Sequence, residues 1–123
     1  MTVSVIVPVH KAEEWIDECL QSIYSQSYKD IDLIVIDDPE GTGAAAARNR
    51  GLAKAVGEYV MFVDADDYLE PGAIGALVNA MSDGVDLVIG SYRKFGTFEM
   101  FMRHKTETLS LREVASYAMS NLR

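Results

Sequence analysis

Basic side chains are in short supply: 11 Lys and Arg stand against 19 Asp and Glu, for a formal net charge of −8. That balance excludes the clustered positive footprint needed to hold a DNA or RNA backbone, so no nucleic-acid partner is expected. A single phosphorylated ligand is still allowed, because one metal ion reverses the local field. Cysteine is nearly missing. With Cys19 as the one thiol, neither an intrachain disulfide nor a multi-thiolate metal site can form. Its position on the apolar side of a helical pattern suits a buried, inert thiol. No hydrophobic run approaches the ~20 residues that span a bilayer, and the first residues lack the basic-then-apolar order of a secretion signal. A cytoplasmic location is therefore expected, with any tie to the inner face of a membrane left to other parts of a longer protein. Internal repeats, low-complexity tracts, a Ser/His/Asp order, zinc-ligand spacing and a Gly-Lys-Ser/Thr ending are all missing too, which removes the common hydrolase, zinc and P-loop readings.

What is present reads as one domain of alternating strands and helices. The 123 residues, 49% of them hydrophobic, suffice for a single core. Val3 to Val9 is a β-branched run too short for a helix and too continuous for a one-sided strand, which predicts a strand buried on both faces. Ala12, Trp15, Ile16, Cys19, Leu20 and Ile23 follow at helical spacing. Ile31 to Ile36 predicts a second buried strand, Gly41 to Ala55 a helix from about Ala44, and Tyr59 to Val63 a third strand. Pro71 suits the first turn of a helix carrying Ile74, Leu77, Val78 and Met81, stopped by Ser82-Asp83-Gly84. Val85 to Ile89 predicts a fourth strand, and Ser110 to Glu113 has capping-box spacing for a last helix. Between them, Tyr92 to Leu109 has no period and leaves loop, hairpin and disorder open. Such alternation predicts a mostly parallel α/β sheet flanked by helices.

In open α/β sheets ligands bind beyond the carboxyl ends of the strands. Three predicted strands end there in polar residues: Pro8-Val9-His10-Lys11, Asp37-Asp38, and Asp64-Ala65-Asp66-Asp67. Parallel neighbours would bring five carboxylates to one edge, where they repel unless a divalent cation relieves them. Hard carboxylate oxygens suit Mg²⁺ or Mn²⁺. In extended backbone Asp64 and Asp66 project to one side and can face one ion. The same residues could instead cap the helix near Pro71 or solvate a loop. Gly41-Thr42-Gly43-Ala44-Ala45-Ala46 also matches the G-x-G-x-x-G/A fingerprint, so a dinucleotide-binding oxidoreductase is a rival reading. That rival leaves Asp66 and Asp67 unexplained and sets Asp37, Asp38 and Glu40 beside a pyrophosphate. Arg48, on the same helix, has the fork shape for phosphate or for one of the nearby carboxylates.

From Val3 to about Tyr92 the chain resembles the family 2 glycosyltransferases, inverting enzymes of the GT-A fold. The resemblance rests on Val3-Ser4-Val5-Ile6-Val7-Pro8-Val9, Glu18-Cys19-Leu20-Gln21-Ser22-Ile23 and Leu33-Ile34-Val35-Ile36-Asp37-Asp38. It continues through Ala47-Arg48-Asn49-Arg50-Gly51-Leu52 and the run from Gly57 through Asp64-Ala65-Asp66-Asp67 to Leu69. It implies a donor-binding domain; residues 1–123 are read as that one domain, with 93–123 read from the sequence pattern as a loop plus a C-terminal helix. It implies a nucleotide-sugar donor, UDP-linked by preference, with an unknown glycan, lipid or protein acceptor and a role in cell-wall or polysaccharide synthesis. Carried over by position, Asp37 or Asp38 contacts the nucleoside, Pro8, Val9 and His10 line the base, and Arg48 helps to hold the donor. Asp64 and Asp66 form the Asp-x-Asp motif, with Asp66 the direct metal ligand and Asp64 holding sugar or ribose.

Three departures qualify the match. His10-Lys11 stands where the family usually has an aromatic residue and Asn. Only Pro39 to Ala46 separate Asp38 from Ala47, where Gly-Ser, a further helix and a strand are expected. The family's general base is expected past the end of this chain; Glu99, Glu107 and Glu113 match no motif for it, so no catalytic residue is assigned. An incomplete sheet would expose an edge that a second copy could cover, which leaves a homo-oligomer as a further expectation; the shortened pattern also leaves a nucleotide-binding or interaction module without turnover as the alternative function.

Overall fold

A computed structural model describes residues 1–90 together with 93–94 and 100–101. The chain divides into two compact units, Met1–Val88 and Ile89–Arg123. In the first, strands β1 (Val3–Val9), β2 (Ile31–Asp37) and β3 (Tyr59–Phe62) alternate with helices α1 (Ile16–Tyr24), α2 (Ala44–Lys54) and α3 (Ala73–Ala80). The strands form one parallel sheet in the order β2-β1-β3, with Val3 opposite both Ile31 and Tyr59. All three carboxyl ends therefore meet at one edge.

The central strand has the two buried faces that its β-branched run predicts. Val3, Val5 and Val7 pack with Cys19 and Ile23 of α1 and with Ile74 of α3. On the opposite face Ile6 packs with Ile34, Ile36 and Ala47 of α2. That close approach of α2 depends on Gly51, where an added Cβ would lie 2.3 Å from Ile6 Cγ2. Ser4, fully buried, is satisfied: its hydroxyl donates to Asp32 Oδ2 at 2.8 Å and accepts from the Gly57 N–H at 2.8 Å.

Four expectations are corrected. The second strand, predicted as buried, is only half covered: it lies at an edge of the sheet among the described residues, and its Val35 is 44% exposed, as Phe62 of the other edge strand β3 is at 43%. Strand β3 stops at Phe62. Pro71 lies outside α3, whose N-terminal cap is Gly72 with φ +78°. Residues 85–90 form no strand, having no ladder partner among the described residues. Helix α2, by contrast, begins at Ala44 as the pattern predicts. In the second unit the described residues form an antiparallel pair, β4 (Arg93–Lys94) with β5 (Met100–Phe101), the hairpin option left open by the sequence. The helix expected at 110–122 lies outside the described residues. Among the described residues, no helix is long and apolar enough to cross a membrane.

Candidate functional site

An open cleft of about 320 Å³ lies beyond the carboxyl ends of the strands, with Pro8, Val9, His10, Arg48, Asp64 and Asp66 among its walls. Asp38, Lys11 and Trp15 also border it. Most residues singled out from the sequence are thus brought together. Asp37 is not: adjacent strand residues face opposite ways, and Asp37 lines a separate groove with Val35, Arg50 and Lys54. The five carboxylates therefore do not all converge.

The acidic segment is a turn, not extended backbone. The Asp67 N–H donates to the Asp64 carbonyl at 3.0 Å, closing Ala65 and Asp66 into a β-turn. Buried Val63 and Ala65 pin the turn to the core. In consequence three carboxylates gather rather than two: oxygens of Asp64, Asp66 and Asp67 all lie within 4.8 Å of one another. Alternation along a strand misses Asp67; a turn reading of the Asp-rich tetrad would have found it. Burial, then the charges of Asp66 and Asp64, raises the proton affinity of Asp67. Beneath the turn, burial and the charges of Asp67, Asp64 and Asp66 push the Cys19 thiol up to about 11, which keeps it protonated and inert.

Two polar residues of the first helical segment hold the exit from this turn. The Ser22 hydroxyl accepts from the Leu69 N–H at 3.0 Å. Gln26, 1% exposed, donates to Ser22 and Glu70 carbonyls and accepts from the Ile74 N–H at 3.1 Å. Neither was legible as a site-supporting residue, because Leu69, Glu70 and Ile74, which they hold, lie more than forty residues away in the chain.

The opposite wall is organised by Asp38. Its buried carboxylate accepts from the Thr42 hydroxyl at 2.7 Å, the Thr42 N–H at 3.0 Å, the Gly43 N–H at 3.2 Å and Arg50 at 3.4 Å. The loop amides that a dinucleotide fingerprint would turn to a pyrophosphate are here turned to a carboxylate. The Asp38 carbonyl in turn accepts from the Gly41 N–H at 3.1 Å and from His10 Nδ1–H at 2.7 Å. Because a carbonyl only accepts, Nδ1 carries a proton, and in the tautomer that this bond selects Nε2 is the acceptor. Gly41, with φ +69°, presses on that ring; a Cβ there would lie 3.1 Å from His10 Cε1.

The hydrogen bonds from Thr42, and then those from Gly43 and Arg50, hold the Asp38 carboxyl at about 2, below its usual 3.8, against the opposing effect of burial. A folded pKa below the unfolded one stabilises the protein above the unfolded value, and that gain disappears as pH falls through the folded one. Asp38→Asn is therefore expected to lower the urea midpoint most above about pH 4, with the gap to the parent protein closing towards about pH 2. A gap unchanged down to that pH would remove the charged form of Asp38 from the account.

Arg48 Nη2 donates to Asp64 Oδ1 at 3.0 Å, and its guanidinium lies 5.9 Å from the centre of the Phe62 ring. Its buried Nε has no partner among the described residues. The ion pair is half exposed and contributes little to stability by itself. It ties the Asp64 carboxylate to α2 at the cleft wall.

Three comparisons bear on this arrangement. A sequence profile described as glycosyl transferase family 2 matches residues 4–42 and 39–121. The curated relatives include the glycosyltransferase GlyA of Streptococcus pneumoniae serotype 4, 33% identical over 128 positions that take in 83% of this chain and 18% of the relative. Another is the putative glycosyltransferase EpsH of Bacillus subtilis, 30% identical over 114 positions, 73% of this chain and 33% of the relative. This chain thus spans a third or less of either. The GlyA alignment is longer than the chain itself, so the relative has residues that face a gap, and the profile matches in two segments that meet at 39–42, between β2 and α2, where the resemblance leads one to expect a further helix and strand. Among solved structures, S. aureus TarS 1-349 in complex with UDP superposes with a TM-score of 0.60 at 28% identity, over 65% of this chain and 32% of that one. The same protein in complex with UDP-GlcNAc gives 0.57 at 27%, over 65% and 31%. The parallel sheet between α1 and α2 is the GT-A arrangement that the resemblance implies.

Proposed function

We propose, since this chain belongs to glycosyl transferase family 2, that its cleft binds a nucleotide-sugar donor, with UDP as the carrier, for inverting transfer to an acceptor hydroxyl. The observation that carries this reading is the coincidence of a carboxylate cluster with a strand-end cleft, in a fold matched by a UDP-bound relative. The three carboxylates suit a divalent cation in chemistry and spacing: hard oxygens, close enough together to share one ion, and repelling one another without it. Asp66 and Asp64 would hold Mg²⁺ or Mn²⁺, with Asp67 as a third oxygen donor. Such an ion, when bound, supplies Lewis-acid charge to the departing diphosphate.

The remaining roles fall to the protein. Pro8, Val9 and His10 line the base, with Nε2 of His10 able to accept from an imide N–H. Asp38 shapes the wall beside the nucleoside through the loop it ties, while Asp37, in its separate groove, would reach the donor only if that loop moved. Arg48 holds Asp64 and meets the donor with its remaining N–H groups. In the transfer itself the acceptor oxygen bonds to the anomeric carbon as the bond to the diphosphate breaks, with inversion. The acceptor proton goes to a base assigned to no described residue.

The gap between β2 and α2 favours a second reading, a donor-binding module without turnover. Calorimetry with UDP, with and without Mn²⁺, tests the first step: metal-dependent binding is expected, with no binding of NAD. Failure to bind UDP under either condition would sink the donor reading. Release of sugar from a nucleotide-sugar separates enzyme from module.

A further inference from the structure

We infer that Lys11 is the diphosphate-contacting cation of this cleft; the inference rests on the reading that the cleft takes a nucleoside diphosphate. Among the described residues Lys11 is the one non-glycine with positive φ, +50°. A side chain with a Cβ is strained there, and Asn or Gly would adopt the conformation at less cost. A strained residue at the mouth of a cleft calls for a reason, and the fold supplies none: among the described residues no hydrogen bond or ion pair engages the Lys11 side chain, which is exposed.

The charge arrangement supplies one. Lys11 and Arg48 are the two cationic side chains bordering the cleft. Arg48 is committed to Asp64 at 3.0 Å. Arg50, outside the cleft lining, is committed to Asp38 and Thr42. His10 spends its Nδ1 proton on the Asp38 carbonyl. Of these side chains, Lys11 alone is engaged by no hydrogen bond or ion pair among the described residues, although Asp64 and Asp66 line the same cleft and the chain as a whole carries −8. A diphosphate entering so acidic a cleft needs positive charge beyond that of one metal ion. A lysine ammonium, a compact point charge on a long stem, suits a non-bridging phosphate oxygen.

The test compares UDP and uridine by calorimetry, with Mn²⁺ present, at low and high salt, on the parent chain, Lys11→Asn and Lys11→Arg. Asn accepts the left-handed backbone, so the charge is lost while the conformation is kept; a matching thermal midpoint checks this. Expected for Lys11→Asn is a UDP affinity weaker by about five- to tenfold at low salt, the order of one charge-assisted contact, with uridine binding unchanged and the salt dependence flattened. Lys11→Arg should retain most of the affinity. UDP bound by Lys11→Asn as tightly as by the parent overturns the inference. So does an equal loss for UDP and uridine, which would mark a role in cleft shape. A parent chain that binds no UDP overturns the donor reading as well, an outcome distinct from the other two.

Discussion

Asp66→Ala is expected to reduce Mn²⁺-dependent UDP binding by about a hundredfold or more, or about 2.7 kcal/mol, while leaving thermal stability unchanged or slightly raised. Both halves follow from the turn closed by Asp64 and Asp67. Asp66 sits at its tip, one of three carboxylates with oxygens within 4.8 Å. Losing it would remove one of the carboxylate oxygens able to hold a divalent ion there. It also removes a like charge from beside Asp67, whose proton affinity is raised by burial and then by Asp66 and Asp64. A carboxyl whose folded pKa lies above its unfolded value weakens the fold at neutral pH, so relieving it acts in favour of stability. Isothermal titration with and without Mn²⁺ reads the first half and a melting curve the second. Unchanged metal-dependent binding by Asp66→Ala would mean that the ion, if there is one, lies elsewhere.

Gly51→Ala is the second large effect, and it acts on the scaffold. In an exposed helix this change would stabilise by ~1 kcal/mol through helix propensity. Here the new methyl would lie 2.3 Å from Ile6 Cγ2, with Ile6 Cγ1 and Cδ1 at 3.2 and 3.3 Å. Ile6 is wholly buried on the central strand and cannot swing aside. Overpacking of that kind costs roughly 1–3 kcal/mol, occasionally more, so a net loss of about 2 kcal/mol is expected in urea unfolding. Arg48 lies one turn earlier on α2, so the displaced helix should also weaken donor binding. The cause can be isolated by pairing the change with Ile6→Ala, which removes the clashing atoms. The two should be less than additive by about 1 kcal/mol. Strict additivity would mean that the contact is not the source of the loss.

The residues that specify the fold were the most legible. The β-branched run of β1 and the start of α2 at Ala44 follow from periodicity and from residue shape. The second strand was misjudged for one reason: a run of apolar residues says that burial is wanted, not that a neighbour exists on both sides, and the third strand shares that edge position. Val35, Val60 and Phe62 are the residues left exposed by that difference. Residues 85–89 have the composition of a strand, but a strand is a pairing, and no ladder among the described residues includes them. At the site, period-two alternation already implied that Asp37 and Asp38 could not both face one ligand. Carried past Phe62 into the acidic turn, the same rule hid Asp67. The hydrogen bonds of Gln26 and Ser22 were beyond reach, since nothing local distinguishes a buried glutamine that ties two segments from a polar residue ending a helix. The family pattern supplied the nucleotide-sugar reading; the break after Asp38 then proved to be a loop that turns its aspartate inward.

The central position of β1 also sets an order in time. Both of its partners, residues 31–37 and 59–62, come later in the chain. Parallel pairings over such separations are slow to close, because loop entropy is lost before any ladder bond is gained. During synthesis the valine-rich segment that ends as the most enclosed strand must wait, uncovered, until residue 62 has emerged. That interval is when it is most open to association with other unfinished chains. The same wait applies to the pocket, since Pro8 to Lys11 cannot take their places until β1 is paired on both sides. A chain in which this cleft is formed has therefore already paired β1 on both sides.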